Sequence, residues 1–121
     1  IEIKKAKDKK SAREIAFSIA NSLLVKTAIA GEDANWGRIV MAIGKTKNNF
    51  DMNKVKIFFQ DHLLTENGCA KRNIDEEMVK NELKKSYIKI VVDLGLGGSE
   101  FTAWTSDLTE EYIRINADYR S

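Results

Sequence analysis

The stretch "YIKIVVDLGLGGSEFT", Tyr87 to Thr102, limits the fold more than any other. Ile88, Ile90, Val92 and Leu94 fall at every second position. Alternate side chains of an extended chain share one face, so this spacing predicts a strand with one face buried. Gly95, Gly97 and Gly98 follow at once and read as a turn, with "EFTAWTSDL" beyond them as the partner strand of a hairpin. A glycine loop that cradles phosphate follows a strand and opens a helix. This one lies between two strands, so it predicts a turn rather than a phosphate site.

Elsewhere the spacing alternates between periods. "IEIKKA" reads as a short strand, and Lys4, Lys5, Lys7, Lys9 and Lys10 as a solvated edge and turn. Ser11 and Glu14 have the spacing of a capping box, followed by Ile15, Ala16, Ile19, Ala20 and Leu23, which predicts one helix from Ser11 to about Leu24. Gly31 marks a break. Asp33 is the expected N-cap of a second helix whose Trp36, Ile39, Val40 and Ile43 share a face, ended by Gly44. "VKIFFQ" buries Val55, Ile57 and Phe59, with His62 to Thr65 as its return and Glu66-Asn67-Gly68 as the closing turn. Asn73 with Glu76 starts a third helix carrying Ile74, Val79 and Leu83, and Asp107 or Thr109 caps a last one. The order β-α-α-β-β-α-β-β-α predicts one α+β domain, with helices packed on a mostly antiparallel sheet.

Several function classes are disfavoured. The 121 residues carry 20 basic and 18 acidic side chains, a balance that gives no warrant for a nucleic-acid or membrane partner. No apolar run is long enough for a transmembrane helix and no signal-peptide pattern is present, and the lone Cys69 fits a reducing, cytoplasmic setting. One histidine, His62, and one cysteine do not make a zinc site, and no base stands near Cys69 to activate it. No metal and no cofactor are expected. The chain starts at Ile1, without methionine and within an apolar alternation, which predicts a front part outside it.

Two stretches call for more. In "GEDANWGR", Glu32 and Asp33 favour the positive end of the next helix, Trp36 suits a core and Arg38 can pair with either acid. Those readings leave Gly31, Asn35 and Gly37 unexplained. In "YIRINADYRS", Tyr112, Ile113, Ile115 and Tyr119 predict a well-anchored end, while Arg114, Asn116, Asp118, Arg120 and Ser121 supply polar groups able to line a cleft of a larger protein.

Together, "IANSLLVKTAIAGEDANWGRIVMAIG" and "VDLGLGGSEFTAWTSDLTEEYIRINADYRS" resemble the C-terminal part of the ornithine acetyltransferase family, the arginine-biosynthesis glutamate N-acetyltransferases. Ala34, Ser106 and Ser121 depart from the family's usual proline, cysteine and threonine. The resemblance implies a precursor that cleaves itself before a threonine into α and β chains. The new N-terminal threonine takes acetyl from N-acetylornithine and passes it to glutamate, and some members also use acetyl-CoA. It implies that this chain is the C-terminal domain of the β chain. The catalytic threonine and oxyanion hole then lie outside it, on a partner α chain and the rest of the β chain, in a higher αβ oligomer. Matching substrate-binding positions are Asn116 and Ser121. Glu32, Trp36 and Arg38 would frame the cleft or, alternatively, brace two domains. A stand-alone binding module and a related self-cleaving hydrolase are the competing readings.

Overall fold

The computed structural model describes residues 1–119. Strand β1 (Glu2–Ala6) leads into helices α1 (Lys9–Ala20), α2 (Leu23–Ala30) and α3 (Trp36–Gly44). Strands β2 (Lys56–Phe59), β3 (His62–Glu66) and β4 (Cys69–Ala70) follow, then α4 (Glu76–Glu82), β5 (Ile90–Asp93), β6 (Ser99–Thr102) and α5 (Glu110–Asp118). The strands form one sheet in the order β4-β3-β2-β5-β1-β6. Every neighbouring pair is antiparallel except β1 with β5. The α+β architecture on a mostly antiparallel sheet is therefore as the periodicities predict.

The sheet's two faces differ because its registers align the alternation. Ile3 lies opposite Val92, and Val92 opposite Ile57, giving a fully buried row across three strands. Ala12, Ile15, Ala16 and Ile19 of α1 join this core, as do Ile39 and Ile43 of α3. One residue further along, Lys4 lies opposite Asp93 and Asp93 opposite Lys56, a charged row on the other face. Such apolar-in, polar-out alternation is what an antiparallel sheet with one covered face requires.

The predicted hairpin between β5 and β6 does not form. Strand β1 lies between them, parallel to β5 and antiparallel to β6. The lysine-rich β1 is therefore interior and not an edge strand; β4 and β6 are the edges. The glycines carry the chain over the end of β1. Leu96 and Gly97 N–H groups donate to the Lys5 carbonyl at 2.8 and 3.0 Å. Gly95 takes φ +64°, and a Cβ on Gly97 would lie 2.7 Å from the Ala6 carbonyl oxygen. Only glycine permits that approach.

Four helix starts also differ from expectation. Asp8, not Ser11, caps α1, its Oδ1 accepting the Ser11 N–H at 2.7 Å. Ser11 is buried within the first turn and donates to Asn48 Oδ1, while Glu14 accepts from Asn48 Nδ2, so no capping box forms. The expected helix to Leu24 is broken at Asn21-Ser22, because the Ser22 hydroxyl accepts the Val25 N–H and starts α2. Asn35 and Asp75, in place of Asp33 and Asn73, cap α3 and α4. In each case several short polar residues were eligible for the cap. Asn67 and Gly68 both have positive φ, as a type I′ turn needs, and they join β3 to the two-residue β4, a strand the sequence did not announce.

Candidate functional site

The "GEDANWGR" segment is a tightly bonded connection between α2 and α3. Glu32 N–H donates to the Ile29 carbonyl and Asp33 N–H to the Ala28 carbonyl, at 3.0 and 2.8 Å. This is the paired ending in which the residue after the C-cap, here after Gly31, turns left-handed. The left-handed residue is Glu32, at φ +57°, although glycine is the usual occupant. Three residues on, Asn35 accepts the Arg38 N–H at 3.1 Å and donates to Asp33 at 3.2 Å. A Cβ on Gly37 would touch this Asn35 oxygen at 3.4 Å. Gly31, Asn35 and Gly37 thus belong to one helix-to-helix joint.

The three functional candidates here point different ways. Arg38 Nη1 donates to the Leu24 carbonyl at 2.8 Å and reaches Thr27 Oγ1 at 3.5 Å. It ties α3 to the first turn of α2, and among the described residues it forms no ion pair with Glu32 or Asp33. Trp36 is half-buried against the core. Glu32 pairs with Lys80 of α4 at 3.6 Å. Glu32 and Trp36 together line a shallow depression of about 520 Å³ facing Ile74 and Val79, which Arg38 does not line.

A larger cleft of about 580 Å³ opens beside the first residues of β1. Val25, Ile29, Leu83 and Ile90 give it an apolar floor, and Tyr87 and Trp104 stand at its side with ring centroids 6.0 Å apart. Trp104 is 74% exposed. Within "EFTAWTSDL" the pattern predicts an ordinary strand residue here, and the position just past β6 gives no local signal of exposure. Among the described residues no group of three histidine, cysteine or carboxylate side chains could hold a metal ion. Beside this cleft, Thr105 Oγ1 donates to the Ala20 carbonyl at 3.0 Å.

Asn116 stands apart from both depressions, on α5. Thr109 caps that helix, accepting the Tyr112 N–H at 3.0 Å, one of the two caps expected. The anchored end does not appear: α5 has no buried residue, and Tyr112, Ile113, Ile115 and Tyr119 are all more than half exposed. The apolar spacing is present, but nothing among the described residues covers it. The Asn116 amide donates to the Tyr112 carbonyl at 2.9 Å, which leaves its second N–H and its oxygen to offer outward. Ser121 lies outside the described residues.

Similarity to known proteins extends along the whole chain. The ArgJ family model matches residues 1–121. An "Arginine biosynthesis bifunctional protein ArgJ" of Bradyrhizobium diazoefficiens is 51% identical over 121 residues, all of this chain and 29% of the relative. The protein of that name from Mesorhizobium japonicum is 50% identical over 116 residues, 96% of this chain and 28% of the relative. The crystal structure of the ArgJ protein from Bacillus halodurans superposes with a TM-score of 0.91 at 37% identity, over 98% of this chain and 55% of that one. The chain therefore spans under a third of the length of these curated relatives. It fills a larger share of the solved chain, which is roughly half as long as they are.

Proposed function

The chain belongs to the ArgJ family, and on that premise we propose that it is the C-terminal domain of the β chain of an arginine-biosynthesis acetyltransferase. The observation that carries the proposal is the match of every residue, at about half identity, to proteins named for that pathway. The half-length of the solved relative supports a precursor divided into two chains. No helix among the described residues is long and apolar enough to cross a membrane, and we place the assembled enzyme in the cytoplasm.

The proposed reaction is covalent acetyl transfer. The hydroxyl of an N-terminal threonine, outside this chain, attacks the acetyl carbonyl of N-acetylornithine. The threonine's own α-amine takes the hydroxyl proton, and an oxyanion hole holds the tetrahedral intermediate. The carbon–nitrogen bond breaks, ornithine leaves protonated, and an acetyl ester remains on threonine. The amine of glutamate attacks that ester, restoring the hydroxyl and yielding N-acetylglutamate. No cofactor is needed, and acetyl-CoA would enter as a second acetyl donor. The α chain, the rest of the β chain and further αβ copies are the partners. Within this chain, Asn116 would offer its outward amide groups to the α-groups of the amino-acid substrate, and Ser121 a terminal hydroxyl.

The test is acyl transfer by the whole enzyme, with glutamate and water as competing acceptors. Formation of N-acetylglutamate and ornithine together is expected. Acetate as the only acyl product would replace the transferase reading with a hydrolase. Asn116→Ala should lower kcat/KM for N-acetylornithine; an unchanged value would remove Asn116 from the substrate site.

A further inference from the structure

The turn that joins β3 to β4 carries a reactive dipeptide. Of the nine asparagines in the chain, Asn67 alone is followed by glycine. Asn67 is exposed and left-handed, at φ +54°, and Gly68 follows at φ +77°. Among the described residues the Gly68 N–H donates to no backbone acceptor. Glycine has no Cβ to shield that nitrogen. The strand beyond the turn is lightly held. β4 lies at the sheet edge and pairs through Cys69 with Glu66 and through Ala70 with Thr65. One more bond runs from the Lys71 N–H to the Leu64 carbonyl at 2.8 Å. Cys69 and Ala70 are both exposed. An exposed edge with so few bonds opens locally at small free-energy cost.

We propose that Asn67-Gly68 is a site of spontaneous self-modification, at which the side-chain amide is lost and isoaspartate forms. In the opened turn the Gly68 nitrogen attacks Asn67 Cγ. A new carbon–nitrogen bond closes a succinimide ring, the bond to the amide nitrogen breaks, and that nitrogen leaves as ammonia with the Gly68 proton. Water then opens the ring. Addition at Cγ gives aspartate. Addition at the Asn67 backbone carbonyl leaves the chain running through the former side chain and gives isoaspartate. Water is the sole co-reactant, and the net change is amide plus water to carboxylic acid plus ammonia. Isoaspartate lengthens the backbone by one methylene and sets a new carboxylate beside Glu66. The length of a hairpin turn fixes the register of its strands. β4 would therefore lose its pairing with β3. Leu64 and Ala70 would separate, and with them one wall of the depression that Glu32 and Trp36 line.

The test incubates the whole protein in mildly alkaline buffer beside a synthetic peptide of residues 62–72. Samples are digested over time. Mass spectrometry scores the amide-to-acid mass gain at each asparagine, and an isoaspartate-specific methyltransferase scores the product. Asn67 is expected to convert first among the asparagines of residues 1–121, at a rate within about tenfold of the peptide's. Isoaspartate is expected among its products. A slower rate than that in the folded protein, another asparagine reacting first, or aspartate as the sole product would overturn the proposal. Hydrogen exchange of the aged sample should be faster at the Cys69 and Ala70 amides than in fresh protein. Unchanged exchange there would overturn the loss of pairing.

Discussion

Arg38 and Leu24 are joined across two helices by a hydrogen bond of 2.8 Å, from the guanidinium of α3 to a first-turn carbonyl of α2. The bond makes Arg38 part of the joint between those helices. Arg38→Ala should therefore destabilise the whole enzyme by about 0.5–1.5 kcal/mol, the usual worth of one such bond, with KM for N-acetylornithine unchanged. Thermal denaturation and steady-state kinetics read the two quantities. A raised KM at normal stability would instead put Arg38 in a substrate cleft.

Glu32 is the left-handed residue that ends α2, at φ +57°. A non-glycine residue there stores about 1 kcal/mol of backbone strain. Its ion pair with Lys80 is partly exposed and contributes less than that. Glu32→Gly should raise the melting temperature. If the carboxylate also frames the cleft, the more stable variant will show a higher KM, and calorimetry paired with kinetics detects both changes.

Gly97 and Gly98 provide a matched pair. A Cβ at Gly97 would meet the Ala6 carbonyl oxygen at 2.7 Å and Lys7 Cα at 3.1 Å, both backbone, while one at Gly98 would meet nothing within 4 Å. Gly97→Ala should cost about 1–3 kcal/mol by forcing the crossover away from β1. Gly98→Ala should stay within about 0.5 kcal/mol of the parent. Denaturant titration of both variants checks this, and equal effects would contradict the crossing described.

The carboxylate of Asp8 is held below the usual carboxylate range, first by the backbone N–H of Ser11 and then by the Ser11 side chain. Because the folded value is depressed, the cap's stabilisation is complete above the ordinary aspartate range and is lost as pH falls through the lowered value. Carbon NMR titration of the Asp8 carboxyl should give a midpoint below that of an unstructured peptide. Asp8→Asn keeps a capping oxygen and should remove this acid dependence. A normal Asp8 midpoint would count against the cap.

The strands were legible because burial on one face leaves a period of two. Val55, Ile57 and Phe59 are buried as their alternation requires, and so are Ile90, Val92 and Leu94. Strand neighbours were not legible. Nothing local to "VDLGLGGSEFT" records that Ile3 and Ala6, some ninety residues earlier, enter between its two strands. Helix starts were misplaced where several short polar residues compete, as Asp8 does with Ser11 and Asn35 with Asp33. For the site, the strings around Trp36 and Asn116 were conspicuous, but their roles were not separable by composition. The first proves to be a helix joint, and the second lies on a helix that no described residue covers. An apolar spacing at Tyr112, Ile115 and Tyr119 announces burial without naming what buries it.

The central claim is that this domain belongs to a self-cleaved enzyme that works through an acetylated threonine. Intact mass under denaturing conditions, measured on the complete gene product before and after brief exposure to N-acetylornithine, tests it most directly. The account predicts two chains, the one containing residues 1–121 beginning with threonine and gaining the mass of one acetyl group. A single uncleaved chain, or a cleaved one that never acquires the acetyl group, would contradict it.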